Sequence, residues 1–199
     1  SVTVASGTTS YGVTSLKITR GTFVAPTGTL SIGPVWEAAG NALEITTNGT
    51  FTHNSGTVKF DPAGDYCTYT VDVASSLTLN NVEVSPAIGN CNLTVAAGDT
   101  LVAAGNLTLT NGVTNGTWQC QGNITVASTA DGGTATITCT GGNAQSFTQT
   151  AGGVMTTGLF TVNKTVGTAL TMASALTMGG SFTVTAGTLD LAGYNLTGV

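Results

Sequence analysis

The phrase "GNLTL", Gly105–Leu109, returns as "GNITV" at Gly122–Val126. Each opens on a small residue and an Asn, then alternates apolar, Thr, apolar. In "NITV", Ile124 and Val126 share one face of an extended strand while Thr125 points the other way. Four or five residues make a strand too short to stand alone, and its apolar face needs a cover. The same phrase supplies that cover, because it is rewritten along the chain: "SLKI" at Ser15, "GTLSI" at Gly28, "NALEI" at Asn41, "SSLTL" at Ser75, "CNLTV" at Cys91, "GSFTV" at Gly180 and "YNLTG" at Tyr194. "ALTM" occurs twice, at Ala169 and Ala175, and clusters such as "TNG", "AAGD" and "ADGG" punctuate the intervals. Tandem copies that cannot bury their faces singly do so by piling up along one axis.

The reading is therefore all-β: a parallel β-helix, or β-solenoid, with irregular coils of about 14–24 residues and a single domain over 1–199. The stretch 62–158 is the less regular part. At about 20 residues per coil and roughly 4.8 Å per coil, the rod would be near 50 Å long. The competing β-sandwich also has many short strands, but it does not need one phrase repeated. Helix is nearly absent; "PVWEAAGNALEI", Pro34–Ile45, comes nearest, and Gly40 interrupts it.

Composition agrees. The chain has 41 threonines and 28 glycines, 41% hydrophobic residues and only 7% charged ones, against roughly 25% in ordinary soluble domains. Thr is a β-branched strand former, so this is an ordered chain coated with hydroxyls and amides. A net charge of −5 with four Lys and Arg leaves no basic stripe for nucleic acid. No apolar run reaches the roughly 18 residues of a membrane-spanning helix. The chain starts at Ser1 without a signal-like segment, which fits a mature secreted protein or a piece of a longer one.

Cys67, Cys91, Cys120 and Cys139 show no metal-site spacing, and the single His53 adds no ligand cluster, so no metal or cofactor is expected. An even count in such a composition favours disulfides. Three pairings are open; Cys67 with Cys91 and Cys120 with Cys139 is preferred, since adjacent coils bring sequence-adjacent cysteines together. Buried free thiols are the alternative.

Two segments resemble repeats of very large bacterial surface proteins that form Thr/Gly-rich parallel β-helices: "GTLSIGPVWEAAGNALEITTNGTFTHNSGTVKFD", Gly28–Asp61, and "LFTVNKTVGTALTMASALTMGGSFTVTAGTLDLAGYNLTG", Leu159–Gly198. The resemblance implies an adhesin-like or stalk-like extracellular polypeptide, and the family carries no catalytic motif to transfer.

Candidate sites are sparse. Asp61 and Asp65 flank "DPAGD" and have the look of a glycosidase pair, although Asp-Pro and Gly also spell a turn. Glu37, Glu44, Asp72, Glu83, Asp99, Asp131 and Asp190 are scattered, as are Lys17, Arg20, Lys59 and Lys164. Asp131 in "ADGG" is a faint echo of a calcium-binding repeat, and Lys59 or Lys164 is a distant candidate for an isopeptide crosslink. In "TATITCT", Thr134, Thr136, Thr138 and Thr140 share a face, as an ice-binding row would require, without regular repetition in register. Sequons at Asn48, Asn92, Asn106, Asn115, Asn123, Asn163 and Asn195 are candidate glycosylation sites, although Asn also suits turns before strands. Trp36, Trp118, Tyr66, Tyr69 and Tyr194 are candidates for stacking on sugars.

The expectation is a non-enzymatic extracellular or cell-surface structural protein, a stalk or filament segment. Its partner is itself, head to tail through open β-edges, or further repeats of the same chain. The rivals are an adhesive module that binds surface glycans and a polysaccharide-degrading enzyme on the same fold.

Overall fold

The structure is a computed structural model that describes residues 2–3, 10–33, 40–64, 66–87 and 91–198. Trp36, Glu37 and Asp65 lie outside the described residues, as do Pro34–Ala39 and most of the "SVTVASG" start.

The described strands fall into coils. After β1 (Val2–Thr3), coil one holds β2 (Tyr11–Val13), β3 (Leu16–Ile18) and β4 (Gly21–Val24). Coil two holds β5 (Thr29–Ile32), β6 (Gly40–Ile45) and β7 (Gly49–Thr52). Coil three holds β8 (Thr57–Phe60), β9 (Thr68–Val73) and β10 (Ser76–Leu79), and coil four β11 (Asn81–Val84), β12 (Asn92–Val95) and β13 (Thr100–Ala103). In coil five, β14 (Leu107–Asn115) bends across two faces before β15 (Thr117–Cys120). In coil six, β16 (Ile124–Ala130) precedes β17 (Thr136–Cys139). Coil seven has β18 (Gln145–Gln149) and β19 (Phe160–Asn163), and coil eight β20 (Ala169–Met172), β21 (Leu176–Met178) and β22 (Phe182–Ala186). Finally β23 (Thr188–Asp190) and β24 (Leu196–Gly198) begin a ninth.

Three faces result. The first stacks β2, β5, β8, β11, β14, β16, β18, β20 and β23; the second stacks β3, β6, β9, β12 and β14. The third is split into β1–β4–β7 and β10–β13–β15–β17–β19–β22, and β21–β24 form a short ladder of their own. Every ladder between the described strands is parallel. This is a parallel β-helix; a sandwich of antiparallel sheets would show the opposite pairing.

Coil length differs from the 14–24 residues expected. From Leu109 to its rung partner Val126 the chain advances 17 residues, and from Ile32 to Phe60 it advances 28. Strands stay in register through such differences because only the rungs are fixed, and the surplus is taken up at corners.

The repeated phrase now has a physical reading, residue by residue. Leu107 stacks on Ile124, and Ile124 on Phe147, in a buried inward row that also contains Leu30, Val58 and Val82. Each such side chain removed from water is worth about 1.5–3 kcal/mol. The Asn that precedes the row builds a ladder: Asn106 N–H donates to Asn81 Oδ1 (2.9 Å), Asn123 N–H to Asn106 Oδ1 (3.2 Å) and Ser146 N–H to Asn123 Oδ1 (2.9 Å). The Gly is there for close approach. A Cβ on Gly122 would sit 2.4 Å from Gly105 O, and one on Gly105 would sit 2.4 Å from Asn81 Oδ1. The third face repeats the plan inward with Leu77, Leu101, Trp118, Ile137, Phe160 and Phe182. Phe160 and Phe182 stack at 5.4 Å, and Phe147 meets Phe160 edge-on at 5.8 Å across the interior.

Candidate functional site

The two ends of the column differ from its middle. On the first face, Tyr11 and Val13 are the rung partners of Leu30 and Ile32, so they belong to the inward rows, yet each is 37% exposed. At the other end, Val184 pairs with the fully buried Val162 but is 46% exposed, and Leu196 pairs with the fully buried Leu176 but is 36% exposed. Among the described residues the strands there also have a partner on one side alone: β2 and β3 pair with β5 and β6, and β22, β23 and β24 pair with β19, β20 and β21. Apolar rungs and open backbone edges thus coincide at both ends, the chemistry of strand addition.

The interior contains a polar cluster built around a lysine. Lys164 follows β19 and is only 2% exposed. Its Nζ donates to Gln145 Oε1 (2.7 Å) and, at 3.4 Å, to Thr140 O and Gly141 O. Gln145 is held in turn, its Nε2 donating to Cys120 O (2.9 Å) and Gly122 O (2.7 Å). Burial holds the Lys164 ammonium below its ordinary pKa, against a smaller opposing pull from the sulfurs of Cys139 and Cys120. Burial also pushes the Cys120 thiol up to about 12 and raises Cys139 further. These groups form a satisfied internal network, and neither thiol is poised as a thiolate nucleophile.

One cysteine expectation holds and one is corrected. Cys67 and Cys91 are bonded across adjacent coils with Cα atoms 4.5 Å apart. Cys120 and Cys139 also stand on one rung, but both are free thiols. The two pairs sit differently: Cys67 and Cys91 precede their strands at a corner, whereas Cys120 and Cys139 are the last residues of β15 and β17, and the Cys120 thiol donates to Gly122 O at 3.2 Å.

The described carboxylates are all engaged. Glu44 pairs with Lys17 (2.8 Å), which with Asn41 holds its carboxyl below the usual range. Asp61 and Glu83 share Lys59 at 3.1 and 3.9 Å. Asp72 accepts from Asn41, buried Asp99 from Val73 N–H, Asp131 from Gly112 N–H and Asp190 from Ala192 N–H. Asp61 therefore serves the surface, and its proposed mate Asp65 lies outside the described residues. Asp131 sits on an isolated bridge to Val154. Among the described residues no three His, Cys, Asp or Glu side chains gather into a metal set.

Of the sequon residues, Asn106 and Asn123 build the ladder. Asn115 Oδ1 accepts Thr134 N–H and Oγ1–H, and Asn92 lies in β12. Asn48, Asn163 and Asn195 are exposed. The aromatic candidates separate too: Trp118 and Tyr69 are core, while Tyr66 and Tyr194 are exposed. Thr136 and Thr138 do lie on an outward face, where Ser76, Thr100, Thr117 and Thr136 form one in-register row. The sequence reading missed the Asn ladder; its signal was the Asn before each apolar run in "NNVEV", "GNLTL" and "GNITV".

Comparison with protein-family models, with curated proteins and with solved structures found no match to this chain.

Proposed function

We infer that this chain is an extracellular structural segment of a cell-surface stalk or filament, extended end to end by parallel strand addition. The observation that carries the reading is the coincidence, at both ends, of exposed inward-row residues with unpaired strand edges. Tyr11 and Val13 need a coil beneath them, and Val184 and Leu196 need one above. A second copy, or further repeats, would supply both. Because every rung is parallel, the contact joins the head of one unit to the tail of the next, a heterologous interface that does not close and so grows into a fibre. The Cys67–Cys91 bond is compatible with an oxidising, extracellular compartment.

Sedimentation and negative-stain imaging of the full chain test this. Rods that lengthen with concentration are expected, and Val13→Asp or Leu196→Asp should hold the chain at single-unit length. Unit-length particles at every concentration would overturn the reading. The adhesive alternative is favoured by the outward hydroxyl row Ser76–Thr100–Thr117–Thr136; saturable binding on a glycan array, lost on replacing Thr117 and Thr136, would establish it.

A further inference from the structure

The third face has a gap. Among the described strands β7 pairs only with β4, and β10 only with β13. β7 and β10 belong to consecutive coils, yet they stay beyond 8 Å of each other along most of their length, whereas paired strands lie about 4.8 Å apart. The cause is unequal chain length between shared rungs. Ile45 pairs with Val73 and Thr57 with Asn81; between those rungs coil two carries residues 46–56 and coil three only 74–80. The surplus swings β7 away and leaves a cleft of about 430 Å³.

The cleft has the attributes of a missing strand position. Asn48 O and Thr52 O accept from Gly21 and Ala25 on the β4 side, so by alternation the peptide groups of Phe51 face the gap. Ser75 O and Leu79 O accept from Thr100 and Ala104, which turns the peptide groups of Ser76 and Thr78 toward it from the other side. The floor is apolar: Phe51 and Leu77 keep a little exposure there, while Leu101, Trp118, Ile137 and Phe160 of the same inward row are fully buried. The rim is hydroxyl, from Thr50, Thr52, Ser76 and Thr78, and no Asp, Glu, Lys or Arg lines the cleft. Strands more than 8 Å apart along most of their length are too far apart to pair with each other, and the space between them has the edges, floor and rim that an extended strand needs.

The geometry points to this cleft as a strand-insertion site whose occupant is the Asn195–Leu196–Thr197 segment of a second copy. That triplet repeats the order of its would-be neighbours, Thr50–Phe51–Thr52 and Ser76–Leu77–Thr78: polar outward, apolar inward, hydroxyl outward. Its residues are exposed in their own coil, where β24 pairs with β21 alone. Insertion would exchange the single β24–β21 ladder for two new ones, turn an exposed leucine into a core rung, complete the edges of β7 and β10 and join copies side to end. The inference does not rest on end-to-end stacking, because the cleft lies away from both ends of the column.

The test is titration of a synthetic peptide with the sequence Tyr194–Val199 into the full chain, followed by amide NMR and hydrogen exchange. Saturable shifts and slowed exchange at Phe51, Ser76 and Thr78 are expected. They should vanish with a peptide carrying Leu196→Asp, and with the protein variant Thr78→Pro, which removes an N–H that pairing with β13 does not use. No saturable shift, shifts confined to the terminal coils, an unchanged response in Thr78→Pro, or shifts at these amides from an oligosaccharide and not the peptide would each overturn it.

Discussion

Cys67 and Cys91 stand one above the other on adjacent coils, and so do Cys120 and Cys139. The first pair is bonded; the second is not. Parallel stacking gives both the same backbone opportunity. All four sulfurs are buried, so the difference is where on the coil each pair sits. Cys67 and Cys91 precede β9 and β12 at a corner, whereas Cys120 and Cys139 end β15 and β17, close to the Lys164–Gln145 network. Register brings cysteines together and does not by itself decide whether they join.

The largest expected effect comes from the network close to the second pair. Gln145→Leu strips Lys164 of its closest acceptor and leaves Cys120 O and Gly122 O without their side-chain donor. It should cost about 3–4 kcal/mol in denaturant unfolding, because a buried charged donor left without its acceptor costs more than the roughly 1–3 kcal/mol of a neutral one. Adding Lys164→Met should restore most of that loss, since replacing both partners by apolar groups is far cheaper than orphaning one. Strict additivity would show that the two side chains do not form a unit.

Next comes the bonded pair. Replacing Cys67 and Cys91 with serine should cost about 3 kcal/mol, the chain-entropy value for a loop of this size. Cys139→Ala should cost about 1 kcal/mol, the scale of a small cavity. Thiol labelling of the native protein should find neither Cys120 nor Cys139 until it unfolds; rapid labelling would break the comparison.

The pH dependence separates the two chemistries. The Lys164 pKa is lowered from 10.5, so below that value the unfolded chain holds more protons, and this group makes stability rise with pH. The thiols act in reverse. Their ordinary value is 9.0 and Cys120 is raised to about 12, so the folded state retains protons that the unfolded state loses, and stability falls above pH 9. Toward pH 10 two thiols outweigh one amine, and the wild-type curve should descend. With both changed to serine it should climb instead. Tyr69, raised by burial from 10.0, pulls in the same direction as the thiols as pH approaches 10, so the contrast between wild type and the serine variant is cleanest near pH 9.

The smallest effects are single hydrogen bonds. Asn123→Ala removes one ladder acceptor and should cost about 1 kcal/mol. Tyr69→Phe should be neutral or slightly stabilising, because the buried Tyr69 hydroxyl has no hydrogen-bond partner among the described residues.

Much of this architecture was legible in the phrase itself. Alternation in "NLTL" and "NITV" assigns Leu107, Leu109, Ile124 and Val126 to the interior, and recurrence implies stacking; both hold. Adjacency along the chain also sufficed for Cys67–Cys91. It did not suffice for Cys120 and Cys139, which share a rung without a bond: spacing brings two sulfurs to one level and does not encode whether they join. Of the acid pair only Asp61 lies within the described residues; it is drawn to Lys59 two residues away, a contact that alternation places on one face.

The unequal coils have a last consequence. A column of this kind counts rungs and is indifferent to how many residues separate them, as the 17-residue and 28-residue advances show side by side. Corners are therefore places where chain can be lengthened at little cost to the ladder above or below. Such a scaffold can diversify its outer contour by corner growth while the interior keeps its spacing, and a search for a fixed numerical period will pass over it.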